Sequence, residues 1–325
     1  MSTTLRDVAR LAQVSVKTVS NVVNGYPHVS DGMRRRVEAA LAALDYHPNR
    51  AARTLRTGRT RVLALTVAEA DGVGVLARAV VRAAARHGYR VVIDPVDPEC
   101  QGVATPPLSV DGCLLLTDLP AEPPTGGPPV VRLGQATAGG SADRVGIDHA
   151  RATRDAVDHL VATGRSRIAA IGVAPGQPSA TIGRQGYAEV LRAAGRDPLP
   201  GHLQQVPADQ RSDGYRAARA LLSQRRRPDA VVCASDALAI GALCAAADAG
   251  VRVPQDLAVI GVGGSEEGRW TRPALSTVAA DPAFLARQAV ARIVARIARP
   301  DAAPVTVVTP HTLLARESTR TSTSG

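Results

Sequence analysis

Aromatic residues make up only 2% of this 325-residue chain: one phenylalanine, one tryptophan and five tyrosines. That shortage leaves little to cover the face of a sugar ring, and any core must be built from aliphatic residues and alanine. Lysine is almost missing, since Lys17 is the single lysine among 39 basic residues. With alanine abundant, this reads as a high-GC coding bias, so the number of arginines is not by itself a sign of nucleic acid. Cys100, Cys113, Cys233 and Cys244 show no C-x-x-C spacing, which argues against a zinc site or a disulfide framework, and Cys113 and Cys233 lie in apolar runs typical of buried thiols. No apolar run reaches about 18 residues, and the N-terminus lacks the apolar region of a signal peptide, so a cytoplasmic protein without a membrane partner is expected. No Ser/His/Asp or Cys/His constellation, metal-ligand spacing or P-loop is present, and no catalytic residue, metal or cofactor is expected.

What the chain does have is length for two or three domains and an uneven charge. The net charge is +10, and the first sixty residues hold ten Lys/Arg against four Asp/Glu. Positive charge is thus concentrated at the N-terminal end, as phosphate binding requires.

Residues 4–24, TLRDVARLAQVSVKTVSNVVN, read as two short helices around a tight turn. Thr4 is the expected N-cap, with Asp7 at capping-box spacing. Leu5, Val8, Ala9 and Ala12 recur at helical intervals. Gln13-Val14 forms the turn, and Ser15 caps a second helix whose Val19, Val22 and Val23 pack back on the first. Val16, Lys17, Ser20, Asn21 and Asn24 then share the opposite face. Their ammonium, hydroxyl, amide and small apolar groups match the donors, acceptors and thymine methyl of the major groove.

Ser30 reads as a third N-cap, with Met33, Val37, Leu41 and Leu44 as the apolar face of its helix. His47-Pro48 ends that helix, because the residue before proline is pushed out of the α region. The run 50–56, RAARTLR, favours helix but has almost nothing to bury. A helix shorter than about 12 residues is marginal alone in water, so this one is expected to form against a partner. With Leu55 as its large apolar residue among arginines, it fits a minor-groove wedge that unstacks a base step.

These residues carry a family resemblance. Leu5-Arg6-Asp7-Val8-Ala9, Val14-Ser15, Thr18-Val19-Ser20, Asn24-Gly25, Val29-Ser30, Arg36-Val37, Pro48-Asn49 and Leu55-Arg56 resemble the headpiece and hinge helix of the lactose-repressor/galactose-repressor (LacI/GalR) transcription factors. The resemblance implies base reading by Val16, Lys17 and Asn21, phosphate contacts near Thr4, Ser15, Thr18, Ser20, Asn24 and His28, and intercalation by Leu55. Asn49 and Ala52 complete the DNA-binding set. Gln13 stands where glycine is common, and a left-handed non-glycine residue costs on the order of 1 kcal/mol. Asn21 stands where arginine is frequent, which bears on the bases read.

From Arg61 the pattern changes. Apolar runs at 62–67, 89–93, 111–116, 130–133, 145–147, 167–173, 203–206, 230–234, 257–262 and 305–308 read as strands. Helical segments at 76–87, 150–163, 184–194, 213–223, 236–249 and 282–299 alternate with them. Such alternation implies parallel, doubly wound sheets, and this length divides best into two lobes. Segments such as Gly164-Arg165-Ser166-Arg167-Ile168, Ser235-Asp236-Ala237-Leu238-Ala239 and Pro273-Ala274-Leu275-Ser276-Thr277 resemble the same family's effector-binding domain, built like a two-lobed periplasmic sugar-binding protein. The expected organisation is an all-α helix-turn-helix headpiece at 1–46, a hinge helix and linker at 47–60, and the α/β effector-binding and dimerisation domain at 61–317. Within it, one lobe is expected from 61–160 plus 279–300 and the other from 161–278 plus 301–317, followed by a disordered tail at 318–325.

The resemblance implies a homodimer or tetramer that binds a double-stranded DNA operator and takes a small-molecule effector between the lobes. Glu69, Asp71, Asp148, Arg184, Asp236 and Trp270 are the candidate effector residues, with N-capping the alternative role for Asp236. The cleft positions depart from the family pattern: Gly183 replaces an arginine, Gly263-Gly264 an Asp-Asp pair and Ala279-Ala280 a polar site, which argues against an ordinary hexose. Two other readings compete with this one. Gly72-Val73-Gly74, with Ala77 and Asp94, has the spacing of an NAD- or flavin-binding loop, but Ala68–Asp71 separates it from the strand and Glu69 and Asp71 would face the phosphates. A solute-binding protein would explain residues 61–317 but not the headpiece.

Overall fold

The computed structural model describes residues 4–23, 26, 28–46, 59–67, 74–95, 109–116, 127–135, 141–173 and 184–320, leaving out the side chains at 135, 173 and 184–186. Asn24, Asn49, Ala52, Leu55, Glu69, Asp71, Cys100 and the Gly72-Val73 turn lie outside the described residues, as does the expected hinge helix. The chain divides into two compact units, Met1–Thr60 and Arg61–Gly325.

In the first unit, α1 (Leu5–Ala12), α2 (Val16–Val23) and α3 (Asp31–Ala43) enclose a core of Val8, Ala9, Ala12, Val19, Val22, Val37 and Ala40. The Asp7 carboxylate starts α1 by accepting from the Thr4 amide at 3.0 Å and the Thr4 hydroxyl at 2.6 Å. Those two bonds hold its pKa below the ordinary carboxylate value. Gln13 ends α1 in the left-handed region, at φ 51°. Ser15 starts α2 by accepting from the Thr18 amide at 3.0 Å. On α3 the apolar face is narrower than its spacing suggests: Val37 and Ala40 are buried, whereas Met33 is exposed.

The second unit holds two six-stranded sheets. The first contains β1 (Val62–Val67), β2 (Arg90–Pro95), β3 (Gly112–Leu116), β4 (Val130–Gln135), β5 (Asp143–Ile147) and β11 (Thr306–Val308), in the order β11-β5-β4-β3-β1-β2. All its pairings are parallel. α4 (Gly74–Arg86) and α9 (Pro282–Ala298) cover it, with Val80, Ala84, Leu285, Ala289 and Ile293 packed on Leu63, Leu65 and Leu114. The buried Asp143 accepts from Arg296 at 3.0 and 3.1 Å and from the Val305 amide at 2.7 Å, which ties the end of α9 to β5 and β11.

The second sheet contains β6 (Ile168–Val173), β7 (Leu203–Val206), β8 (Ala230–Cys233), β9 (Ala258–Gly263), β10 (Ser276–Ala280) and β12 (His311–Leu314), in the order β12-β10-β9-β8-β6-β7. Its helices are α5 (His149–Ala162), α6 (Arg184–Ala193), α7 (Arg211–Leu222) and α8 (Asp236–Asp248). Gly214 of α7 and Gly241 of α8 let these two helices touch backbone to backbone, since a Cβ at Gly241 would lie 2.0 Å from the Arg211 carbonyl oxygen.

Several expectations need correction. β12 pairs antiparallel with β10, so the second sheet is mixed. Neither β10 nor β12 was expected, being short runs with small or polar residues. Residues 301–317 are shared by both lobes, because β11 joins the first sheet and β12 the second. α5 packs through Ala152, Ala156, Val157 and Leu160 on the second core, whereas residues up to 160 were expected in the first lobe. Nor is Ser318 the start of a free tail. Ser318 and Thr319 are buried, and the Ser318 hydroxyl donates to the Val259 carbonyl at 2.6 Å and accepts from the Ser276 amide at 2.7 Å. Residues 321–325 lie outside the described residues.

Candidate DNA-reading helix and effector-binding lobes

α2 has two faces set by its valines. Val19 and Val22 are buried, while Val16 at the start of the helix is 43% exposed and Lys17 after it is exposed. Ser20 and Asn21 are half-buried beside them. The Ser15 and Thr18 hydroxyls lie 2.9 Å apart at the start of the helix, and Thr4 at the start of α1 is exposed. The structure therefore gathers Ser15, Val16, Lys17, Thr18, Ser20 and Asn21 on one short helix and its cap, while His28 is exposed in the following turn. That turn also presents Tyr26, which sequence reasoning missed. It is 55% exposed, its amide donates to the Asn21 carbonyl at 3.0 Å, and its own carbonyl accepts from the Arg34 guanidinium at 3.1 Å.

In the second unit, the candidate ligand side chains follow the carboxyl ends of parallel strands, where open α/β sheets bind ligands. Asp148 directly follows β5 and caps α5, accepting from the Arg151 amide at 3.0 Å. His149 beside it is pushed down to about 4 by burial, against the opposing charge of Asp148, so the ring is neutral at physiological pH. Arg184 opens α6 after β6, its side chain outside the description.

Asp236 opens α8 after β8, but it is not the cap. Ser235 is, accepting from the Leu238 amide at 3.1 Å while its hydroxyl donates to Asp209. Asp236 is instead only 3% exposed, and both its oxygens are engaged. Oδ2 accepts from the Ser265 amide and Oδ1 from the Thr277 hydroxyl, each at 2.6 Å. Gly261 makes room for it, since a Cβ there would lie 2.3 Å from Oδ1. Burial pushes the Asp236 carboxyl above its ordinary value, and the hydrogen bonds from Thr277 and Ser265 oppose the shift. Asp236 thus fastens the loop after β9 to the start of β10. Ser235, Asp209, Ser265 and Thr277 were not identified from sequence; the Ser-Asp pair ahead of an apolar helical run was the available signal for Ser235.

Trp270 lies further along the loop that contains Ser265. The loop after β9 runs back along the sheet, and the Leu275 amide donates to the Gly268 carbonyl at 2.8 Å just before β10 begins. Trp270 is 69% exposed there, with its indole N–H donating to Glu266 at 3.3 Å. Among the described residues no group of three or more His, Cys, Asp or Glu could hold a metal ion. Nor is any described helix long and apolar enough to cross a membrane.

Residues 4–49 match the family of bacterial regulatory proteins of the lacI type, and residues 157–319 match the periplasmic binding protein-like domain. The chain is 34% identical over 341 aligned positions to the HTH-type transcriptional regulator CelR of Thermobifida fusca, covering 97% of this chain and 98% of that one. It is 31% identical over 313 positions to the ribose operon repressor of Escherichia coli, covering 91% and 94%. Its fold is similar to that of the lac repressor dimer bound to operator and the anti-inducer ONPF, with a TM-score of 0.80, 26% identity and coverage of 98% and 99%. The exposed polar face of α2, the two α/β lobes and these matches make the chain a member of the lacI family, a DNA-binding transcriptional regulator with a small-molecule effector.

Proposed function

We propose that the protein is a cytoplasmic repressor without catalytic activity, which binds a pseudo-palindromic operator as a homodimer. The observation that carries this reading is the outward display of Val16 and Lys17 over the buried Val19 and Val22. A helix held this rigidly by its own core can enter the major groove, with Val16 against a thymine methyl and Lys17 and Asn21 on base edges. Thr4, Ser15, Thr18, Ser20, Asn24, His28 and Asn49 face phosphates. Ala52 and Leu55 belong to the hinge, with Leu55 as the minor-groove wedge. A two-fold protein presents two such helices to two half-sites, and the similar lac repressor structure is a dimer bound to operator.

The effector lies between the lobes, against Glu69, Asp71, Asp148 and Arg184, all at or after the carboxyl ends of strands. Asp236 serves this site through the Ser265 loop that it holds. Control follows when the effector binds one closure state of the lobes better than the other. Scarcity of aromatics and the glycines at 263 and 264 favour a compact polar effector over a hexose stacked on rings.

Selection from random duplex DNA tests the reading. The wild-type protein is expected to recover an inverted repeat, and Lys17→Ala to relax the preference at one position of each half-site by about 1–3 kcal/mol. Recovery of no inverted repeat would sink the dimeric-repressor reading, and an unaltered preference in the variant would remove Lys17 from base reading.

A further inference from the structure

The second lobe has a cavity at the end of its sheet opposite the effector side. β12 runs antiparallel to β10 with Leu314 opposite Thr277, so the residues leaving β12 emerge beside the amino end of β10. α5 runs back along the same sheet and delivers His159 from its last turn to that end. There His159, Arg269, Leu313, Leu314, Ala315, Arg316 and Arg320 line an open cavity of about 800 Å³. Three arginines and a histidine border it, and no carboxylate does.

The cavity is held by a fixed backbone. The Arg320 amide donates to the Arg316 carbonyl at 3.1 Å, closing a turn that puts both arginines at its ends. Beneath the turn, the Thr319 hydroxyl meets the Ser276 hydroxyl at 2.7 Å and His159 Nε2 at 2.8 Å. Ser318 bridges Val259 and Ser276 as described above. Arg316 donates to the Leu275 carbonyl at 2.8 Å, which keeps its guanidinium in place. Of the nearby acids, Glu317 is turned away, accepting from the Ala274 amide at 2.9 Å, and Glu266 pairs loosely with Arg269 at 3.7 Å, both exposed. Among the described residues, the Arg320 guanidinium has no hydrogen-bonding partner. Burial, with the Arg320 charge adding to it, holds His159 below its ordinary value.

We propose that this cavity is a second small-molecule site, separate from the effector cleft, for an organic anion of the phosphate-ester class. The arginines supply planar, charged donors suited to phosphate oxygens, and Leu313, Leu314 and Ala315 supply apolar surface for the organic part. Its occupation would add a negative charge beside the turn that closes the second lobe, giving the regulator a second chemical input.

The test is calorimetric titration of the full-length protein with inorganic pyrophosphate. Wild type is expected to saturate at one anion per chain in the millimolar range or tighter. The double variant Arg269→Ala/Arg320→Ala should bind at least tenfold more weakly. Arg269→Lys/Arg320→Lys, which keeps the charge, should stay within a few-fold of wild type. Both replaced side chains are exposed, and coincident thermal unfolding curves would confirm that the fold is retained. Binding by the double alanine variant equal to wild type would place the anion in the headpiece or the effector cleft and overturn the proposal. Failure of wild type to saturate would overturn it as well.

Discussion

Asp236→Asn removes a buried charge while keeping the shape of the side chain. In the wild type the carboxyl is 3% exposed and accepts two hydrogen bonds of 2.6 Å. Burial nevertheless raises its pKa above the ordinary 3.8. The folded protein therefore holds this proton to higher pH than the unfolded chain does. The associated stability is fully present below pH 3.8 and is lost as pH rises through the folded value. Each unit of elevation amounts to about 1.4 kcal/mol lost once the group has ionised. Asparagine does not titrate, but its amide must meet either the Ser265 N–H or the Thr277 hydroxyl. A mismatched buried donor there costs about 1–3 kcal/mol, and rotation of the Thr277 hydroxyl to accept lowers that cost. The variant should accordingly be less stable than wild type in acid, with the deficit shrinking as pH is raised. Urea unfolding followed by circular dichroism across a pH series measures the difference directly, because other titrating groups are common to both proteins. A constant offset between the two curves would refute the assignment of a raised pKa to Asp236.

Two further substitutions probe the local geometry. Gly261→Ala places a methyl 2.3 Å from Asp236 Oδ1 and 3.2 Å from the Ala239 Cβ, so thermal unfolding of the effector domain should show a loss of about 1–3 kcal/mol; an unchanged transition would contradict the close approach. At Gln13, φ 51° suits glycine and disfavours branched side chains. Gln13→Gly should leave headpiece stability within about 0.5 kcal/mol, because relief of strain is offset by a more flexible unfolded chain, whereas Gln13→Val should lower it by about 1–2 kcal/mol. Amide exchange at Val14, bonded to the Ala9 carbonyl at 3.1 Å, reports both.

The headpiece was legible because its signals are local. Thr4, Asp7, Ser15 and the valines of α2 act within a turn or two of their own positions, and the left-handed Gln13 lies where a missing glycine had pointed. The second unit was legible as alternating strands and helices, but not as a distribution of segments between lobes. Nothing in residues 301–317 states that Thr306–Val308 and His311–Leu314 pair with different sheets. Ser318 and Thr319 look like a solvent-exposed tail by composition, yet the Ser318 hydroxyl satisfies backbone groups of Val259 and Ser276, and the Thr319 hydroxyl meets the Ser276 hydroxyl and His159 Nε2. The role of Asp236 was hidden for the same reason, since its partners Ser265 and Thr277 lie 29 and 41 residues away.

The chain passes between the two sheets three times, after β5, after β10 and after β11. During synthesis this sets an order. The headpiece core is complete once α3 has left the ribosome, so the DNA-reading unit can assemble on its own. The first lobe must wait for α9 to cover Leu63 and Leu114, and the second for Ser318 to dock on Val259. The segment that senses the effector is therefore the last to mature, and a nascent or truncated chain would present a reading head before it has anything to obey.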